Sequence, residues 1–232
     1  MSPRALISVW NKEGVDSLAK ELHALGYEII SSGGTARFLK ERGIPVKEVS
    51  EITGFPEILG GRVKTLHPKI HGAILYRDWV EEDKKQIEEL GIEPIEVVVV
   101  NLYPFEEKRR EDLELKELLE FIDIGGPTLI RASAKNFLRV AVLTDPTDYG
   151  WFIEKLKRGE LTVQDRLRLA VKAFAHTSYY DSVIYNTLRS LQEEFDPLKE
   201  ETLPLKLKEE LRYGENPRQR GWLYKNPLEE LG

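Results

Sequence analysis

The sequence predicts an α/β fold with a mostly parallel sheet and helices on both of its faces. Short apolar runs alternate along the chain with stretches whose apolar residues recur at helical spacing. One run, Glu96–Leu102, is continuous and rich in β-branched residues, which is typical of a strand buried on both faces. Strands that alternate with helices imply right-handed βαβ connections, and these produce a parallel sheet between helical layers.

The individual elements follow from these patterns. Apolar runs are predicted as strands over Ala5–Val9, Tyr27–Ile30, Val46–Val49, Glu96–Leu102 and Arg139–Leu143. Between the first two runs, apolar residues recur at helical spacing from Val15 to Leu25, and Gly26 marks the end of that helix. A short helix that ends near Gly43 follows the second strand.

The last third of the chain is predicted to be helical at its start. Thr162 and Asp165 have the spacing of a capping box, and a helical pattern continues from there to about Leu191. One helix roughly 45 Å long would fit this pattern. Two helices broken near His176–Ser178 would fit it equally well, so both arrangements stay open.

The domain organisation is predicted from the composition beyond this helix. The segment Gln192–Glu201 is charged and contains a proline, which suits a linker. We therefore predict one domain over residues 1–191. Residues 192–232 are predicted to hold the linker and the start of another module.

Composition excludes several classes of site. The chain has 232 residues with 34 Lys and Arg against 40 Asp and Glu, and this net charge of −6 argues against a nucleic-acid partner. The absence of cysteine excludes disulfides, thiolate metal sites and a cysteine nucleophile, and four histidines leave little material for zinc. No apolar run approaches the ~20 residues of a membrane helix, and the first residues lack a signal-peptide pattern. We expect a cytoplasmic protein with no membrane partner and no metal.

A glycine-rich turn follows the second predicted strand. In the motif Ser31–Thr35, Gly33 and Gly34 allow backbone N–H groups to approach an anion at a helix N-terminus, and the hydroxyls of Ser32 and Thr35 can add hydrogen bonds. A plain tight turn with a threonine cap is an equally good interpretation. Asn11 and Lys12 follow the first strand at the same edge of the sheet, which favours a role for both residues as ligand contacts.

The stretch Gly60–His71 is the densest basic segment of this acidic protein. Its fixed cations Arg62, Lys64 and Lys69 lie behind a Gly-Gly pair, which suits a bound phosphate or carboxylate. A surface charge run would leave the Gly-Gly unexplained. A metal site on the two histidines is disfavoured, because a proline follows the first of them and no acidic ligand is adjacent.

Two further segments offer groups for acid–base chemistry. Asn101 and Tyr103 close the most apolar strand and are placed to face a ligand. Asp123 precedes a predicted helix, where an ordinary capping role is the more common one. Lys135 follows twelve residues later, and if both side chains reach one pocket, they form an acid–base pair whose pKa values depend on each other.

Together these segments carry a family resemblance that spans nearly the whole chain. The sequence resembles the amino-terminal half of the bifunctional purine-biosynthesis proteins that carry AICAR transformylase and IMP cyclohydrolase. The matching stretches, in order, are SVWNKEG (8–14), SSGGTA (31–36), TGFPEILGGRVKTLHPKIHGAIL (53–75), NLYPF (101–105), IDIGGPTLIRASAKNF (122–137) and RYGENPRQ (212–219).

The resemblance implies a three-layer methylglyoxal-synthase-like (Rossmann-like) fold with a C-terminal helical extension, and it implies a homodimer. The implied activity is the cyclohydrolase step: dehydrative ring closure of 5-formamidoimidazole-4-carboxamide ribotide (FAICAR) to inosine monophosphate (IMP), without a cofactor. The transformylase half should follow residue 212, so no transformylase activity is expected from this chain. Arg218 stands where the family usually has histidine.

The resemblance also assigns residues to the site. The implied catalytic group is Lys64, Tyr103, Asp123 and Lys135. The implied nucleotide and phosphate site comprises Trp10, Asn11, Lys12, Ser32, Gly33, Gly34, Thr35, Arg62, Val63, Lys64, Thr65, Asn101, Asp123, Ile124 and Gly125. In our hypothesis Asp123 polarises or deprotonates the carboxamide, Lys135 delivers a proton to the leaving oxygen, and backbone N–H groups near Lys64–Thr65 hold the oxyanion.

The sequence also admits three other interpretations, of which the first two share this fold. Methylglyoxal synthase, a phosphate-eliminating lyase, is shorter and would lack the TLHPKIHG and IDIGGP segments. A nucleotide-sensing regulatory domain would need only the phosphate loop, which makes Asp123 and Lys135 dispensable. A helix-rich interaction domain would leave the basic stretch unexplained.

Overall fold

The structure is a computed structural model that describes residues 2–193, 197–212, 214–216 and 219–228. Arg218, singled out in the sequence, lies outside these residues. The strands are β1 (Arg4–Ser8), β2 (Glu28–Ser31), β3 (Lys47–Glu48), β4 (Val97–Val100), β5 (Ala141–Leu143), β6 (Lys206–Leu211) and β7 (Gly221–Lys225). The α-helices are α1 (Val15–Ala24), α2 (Gly33–Glu41), α3 (Val49–Thr53), α4 (Pro68–Leu75), α5 (Glu81–Glu89), α6 (Phe105–Lys108), α7 (Leu115–Leu119), α8 (Gly125–Lys135), α9 (Tyr149–Arg158) and α10 (Val163–Arg189).

A parallel sheet with the strand order β3-β2-β1-β4-β5 forms the centre of the fold. Its strands end nearly level, since Ile7 of β1 pairs with Ser31 of β2 and Ser8 of β1 pairs with Val100 of β4. The chain builds outward from β1 to β3 and then crosses back to β4 on the other side of β1. Ligands bind at such a reversal in open α/β sheets, beyond the carboxyl ends of the strands.

The sheet is buried as the apolar runs predict. All of β4 is buried, and Ala5, Leu6 and Ile7 of β1 are fully inaccessible to solvent. Helix α1 packs with α9, and α4 packs with α8, which in turn contacts β4 and β5. The predicted α/β architecture is confirmed.

The third strand is shorter than predicted for a local reason. The apolar run Val46–Val49 contributes only Lys47–Glu48 to the sheet. A capping box between Glu48 and Glu51, in which the Glu48 N–H donates to Glu51 Oε2 at 2.6 Å, starts helix α3 at Val49. Cap hydrogen bonds compete with strand pairing at this point, so the strand ends early.

Helix α10 resolves the alternative that the sequence left open. Its N-terminus has the predicted capping box, because the Thr162 N–H donates to Asp165 Oδ2 at 2.9 Å and the Asp165 N–H donates to Thr162 Oγ1 at 3.1 Å. The helix then runs without a break from Val163 to Arg189, a length of about 40 Å. The segment contains neither glycine nor proline, so nothing in the sequence forces a break at residues 176–178.

The chain divides into two compact units. The first comprises residues 1–103 and 123–176 and holds the parallel sheet. The second comprises residues 104–122 and 177–232, with α6, α7, the end of α10 and the antiparallel pair of β6 and β7. That pair was not predicted from the sequence, and the predicted boundary at residue 191 stays a prediction. In the part of the chain that the structure describes, no helix has the length and apolar character needed to cross a membrane.

A buried threonine ties helix α2 to strand β1 in the first unit. Thr35 Oγ1 donates to the Val9 carbonyl at 3.0 Å and accepts from the Val9 N–H at 3.2 Å. Thr35 is only 4% exposed, and the buried N–H of Val9 depends on this hydroxyl for its hydrogen bond. The loop after β1 is thereby fixed against the N-terminus of α2.

We therefore expect Thr35→Val to destabilise the protein. Valine has the same shape but leaves the buried N–H of Val9 without a partner, which costs roughly 1–3 kcal/mol, while the Val9 carbonyl keeps its hydrogen bond from Lys12. The free energy of unfolding, measured by urea denaturation, checks this. Thr35→Ser keeps the hydroxyl and should lose less stability than Thr35→Val; equal losses would contradict the hydroxyl's role.

Candidate active site

Polar side chains collect beyond the carboxyl ends of β1, β2 and β4, all within the first unit. Asn101 organises the loop after β1. Its Oδ1 accepts from the N–H groups of Trp10 at 2.6 Å and Asn11 at 2.9 Å, and its Nδ2 donates to the Asn11 carbonyl at 3.0 Å. These contacts give Asn101 a scaffolding role, in addition to the ligand contact that the sequence predicted.

Lys12 lies in the same loop, with its ammonium close to the backbone. The ammonium donates to the carbonyls of Val9 and Trp10. Burial lowers the pKa of Lys12, and the nearby positive charge of Lys64 lowers it further. Two ammonium groups therefore share one region, and a bound anion would relieve their repulsion.

The Gly33 loop receives the Lys64 side chain. Gly33 begins α2 with φ of 54°, and a Cβ atom there would lie 2.8 Å from Lys64 Nζ. Gly61 has φ of 89°, and its Cβ would lie 2.6 Å from Lys64 Cε. The positive φ favours glycine at both positions, and the absence of a side chain there leaves room for the end of the lysine chain beside the N-terminus of α2. Cation and helix N-terminus together form a site suited to a phosphate.

Glu57 is a member of the site that the sequence analysis did not select. Its Oε2 lies 3.7 Å from Lys64 Nζ, and both side chains are partly exposed. One signal could have revealed it: Glu57 is the sole acidic residue in the basic stretch from Gly54 to His71.

Asp123 combines the two roles that the sequence left open. Its Oδ1 accepts from the Gly126 N–H at 2.9 Å, and its carboxylate also accepts from the Tyr103 N–H. It therefore caps the start of α8. Burial nevertheless raises the pKa of Asp123, although these hydrogen bonds and the charge of Lys64 act in the opposite direction. A carboxyl group with a raised pKa beside a cationic site is suited to proton transfer.

Tyr103 connects Asp123 with the loop after β1. Its ring meets Trp10 edge to face, with centroids 5.4 Å apart and an interplanar angle of 70°. Burial and the negative charges of Asp123 and Glu57 raise the pKa of Tyr103. The phenol therefore stays protonated at neutral pH and can donate a hydrogen bond.

The segment after Lys64 packs against the start of α8. A Cβ atom on Gly125 would lie 3.1 Å from Thr65 Oγ1, so the Thr65 side chain lies against the backbone of Gly125. Behind them, the His71 ring hydrogen-bonds to the backbone of His67 and Thr65, and burial lowers its pKa. Among the described residues, no group of three or more His, Asp or Glu side chains is arranged to hold a metal.

Five further residues of the predicted nucleotide site lie in the same segments of the chain. Arg62 and Ile124 are exposed, and Ile124 directly precedes helix α8. Val63 pairs with Ile58 and directly precedes Lys64. Ser32 and Gly34 flank Gly33 at the start of α2.

Lys135 does not join the group around Asp123. It is exposed in the last turn of α8, whereas Asp123 caps the first turn of that helix. Ten residues of helix separate Gly125 from Lys135, which corresponds to about 15 Å. The described structure shows no contact between the two side chains within one chain, and the acid–base pair of Asp123 and Lys135 stays a prediction.

Two family models and several curated proteins match this chain. The family model described as an MGS-like domain matches residues 14–128, and that of the AICARFT/IMPCHase bienzyme matches residues 133–231. The bifunctional purine biosynthesis protein PurH of Aquifex aeolicus (strain VF5) is 68% identical over 99% of this chain. The protein of the same name from Persephonella marina (strain DSM 14350 / EX-H1) is 54% identical over 100%. This chain spans 45% of the length of each.

A solved structure supports the fold. The crystal structure of ForH is 36% identical in sequence, with a TM-score of 0.74 over 80% of this chain and 96% of that chain. The sheet, the family-model matches and these relatives confirm the methylglyoxal-synthase-like fold that the sequence predicted. The chain belongs to the AICARFT/IMPCHase bienzyme family, with an MGS-like domain over residues 14–128.

Proposed function

We propose that this chain is an IMP cyclohydrolase, which closes the ring of FAICAR to IMP with loss of water. The observation that carries the proposal is the position of Lys64. Its ammonium touches the Gly33 loop, where a phosphate fits, and its charge also acts on the buried carboxyl group of Asp123. Anion binding and proton transfer therefore share one region, as a phosphorylated substrate with an amide to activate requires.

The phosphate of FAICAR would bind at the start of α2. Backbone N–H groups of the Gly33–Gly34 loop and the ammonium groups of Lys12 and Lys64 supply donors and positive charge. Thr35 contributes by fixing the loop, since its hydroxyl is engaged by Val9.

The chemical step is intramolecular. The carboxamide nitrogen attacks the formyl carbon, the formyl oxygen becomes negative, and this oxygen then leaves as water after taking up protons. Holding the two groups in contact can lower the barrier by ~7–11 kcal/mol. The remaining need is for a proton acceptor, an oxyanion stabiliser and a proton donor.

The residues near Asp123 can fill these roles. Asp123 accepts the proton of the carboxamide nitrogen, since its raised pKa makes it a better base than an ordinary aspartate. Backbone N–H groups of Lys64–Thr65 hold the oxyanion. Tyr103, which keeps its proton, donates a hydrogen bond to the reacting groups. Asp123 then returns the carboxamide proton to the leaving oxygen, and the formamido nitrogen releases the second proton of the water by the same route. Lys135 is given no role within one chain, since it lies in the last turn of α8.

The cellular context belongs to the same proposal. The curated relatives are named purine biosynthesis proteins, which supports FAICAR and IMP as the small-molecule ligands. A homodimer in the cytoplasm, without a nucleic-acid or membrane partner, stays the expectation from the sequence.

We expect the purified chain to convert FAICAR to IMP without any added cofactor. Ultraviolet absorbance after FAICAR is supplied follows the reaction directly. The same preparation should form no methylglyoxal from dihydroxyacetone phosphate. Binding of IMP without turnover of FAICAR would instead indicate a nucleotide-sensing domain.

Asp123→Asn should lower kcat for FAICAR by about 10²- to 10⁴-fold, because the amide cannot accept the proton. In the parent protein, kcat/KM should rise with pH as Asp123 ionises. Since its pKa is raised, this rise should lie above the ordinary value of about 3.9 for aspartate. The measurement is a pH profile of both proteins, and an unchanged acid limb in Asp123→Asn would contradict the assignment.

The same variant should fold at least as stably as the parent at neutral pH. A carboxyl group with a raised pKa in the folded state stabilises the protein below its unfolded pKa, and that contribution is lost as pH rises through the folded pKa. Asparagine removes the buried charge and keeps an oxygen for the Gly126 N–H. Urea denaturation at pH 7 checks this. If the variant were less stable, its loss of activity could not be assigned to the loss of the proton acceptor.

Gly33→Ala should raise KM for FAICAR by about tenfold, equivalent to roughly 1.4 kcal/mol of strain and displacement. The new Cβ would lie 2.8 Å from Lys64 Nζ, at a residue with φ of 54°. Steady-state kinetics provide the measurement. Gly150→Ala, where a Cβ meets nothing within 4 Å, is the matched control and should keep the parent KM. Equal KM values for the two variants would contradict a phosphate site at Gly33.

A further inference from the structure

We infer that Glu57 competes with the phosphate of the substrate for the Lys64 ammonium, and thereby lowers the affinity of the site for nucleotides. The inference rests on the proposed function in taking the Gly33 loop as the phosphate site. It assigns a role to a side chain that neither the sequence motifs nor the proposed reaction uses.

The backbone places Glu57 and Lys64 next to each other. Ile58 and Val63 form an antiparallel bridge, with the Ile58 N–H donating to the Val63 carbonyl at 3.3 Å. Glu57 precedes Ile58 and Lys64 follows Val63, so the two residues lie opposite each other at the same end of this bridge. Their side chains are therefore neighbours, and Glu57 Oε2 lies 3.7 Å from Lys64 Nζ.

The carboxylate occupies the space in front of the glycine loops. A Cβ atom on Gly33 would lie 3.8 Å from Glu57 Oε1, and a Cβ atom on Gly61 would lie 3.8 Å from Glu57 Oε2. A phosphate at the N-terminus of α2 needs this same space and the same ammonium. Two anions cannot both occupy it without repulsion, so the carboxylate must move aside when the phosphate binds.

The ion pair of Glu57 and Lys64 is accessible to solvent. The Glu57 and Lys64 side chains are 36% and 29% exposed, so water reaches the ion pair and can solvate both charges when it opens. Lys12, the other ammonium of the site, donates to backbone carbonyls instead of a carboxylate. Glu57 thus acts on one of the two lysines and leaves the other available to the first encounter with an anion.

The function of such a competitor is to limit how tightly a nucleotide is held. Both substrate and product of the proposed reaction carry the same phosphate, so any excess phosphate affinity would retain the product. A carboxylate that returns to Lys64 as the phosphate departs favours release. A phosphate contact that is equally strong in the substrate complex and the transition state lowers KM without raising kcat, so weakening it does not lower kcat.

The test is to measure the binding of inorganic phosphate and of IMP by isothermal titration calorimetry to the parent and to Glu57→Gln. Loss of the carboxylate's charge should tighten both ligands by about two- to fivefold, the range of partly exposed ion pairs. Because salt screens exposed charges, the gain should shrink between low and high ionic strength. Lys64→Gln should weaken both ligands.

Glu154→Gln is the matched control, since it makes the same charge change at an exposed glutamate paired with Arg158 on α9. It should leave phosphate affinity unchanged. Unchanged phosphate binding in Glu57→Gln would overturn the inference. Weaker binding would also overturn it, because it would show that Glu57 instead positions Lys64. Phosphate binding needs no turnover, so tighter binding without conversion of FAICAR would sustain this inference while refuting the proposed function.

Discussion

The close approach of the Lys64 side chain to the backbone at Gly33 and Gly61 is the constraint on which the site depends. A side chain at either glycine would overlap the lysine, so bare backbone at both positions lets one ammonium reach the N-terminus of α2. The segment that carries Glu57 and Lys64 is thereby held against the carboxyl edge of the sheet. Lys64 then lies near enough to Lys12 and Asp123 to shift the pKa of each. The charged side chains of loops that are distant in sequence therefore influence one another's pKa values.

The sequence predicted what periodicity and glycine spacing determine. The parallel sheet and the Thr162–Asp165 cap follow from local pattern or from strand direction, whereas the placement of Gly33 and Lys64 in one site came from the family resemblance. The sequence could not predict contacts that depend on side-chain placement. The Thr35 hydroxyl could face a phosphate or Val9, and only the packed structure decides. Spacing along the chain likewise did not reveal that Asp123 and Lys135 lie at opposite ends of helix α8.

Asp123 shows how a structural role and a chemical role can require the same atoms. The cap of α8 needs an acceptor at this position, and the N–H groups of Tyr103 and Gly126 supply donors that favour the ionised carboxylate. Burial opposes them and prevails, which raises the pKa of Asp123. Close packing enforces that burial, since a Cβ atom on Gly126 would lie 2.5 Å from the carboxylate and 2.7 Å from Leu102. The cap therefore keeps the carboxyl group in an environment that also makes it basic.

Under the proposed function, phosphate binding also prepares Asp123 for its role. The positive charge of Lys64 opposes the rise that burial causes in the pKa of Asp123. A bound phosphate brings nearly two negative charges to the same ammonium, so the lysine's influence on Asp123 is offset and the phosphate adds a repulsive charge of its own. Both changes raise the pKa of Asp123 and make it a stronger base. Lys64 thus couples the arrival of the phosphate, at one end of the substrate, to the removal of a proton at the other.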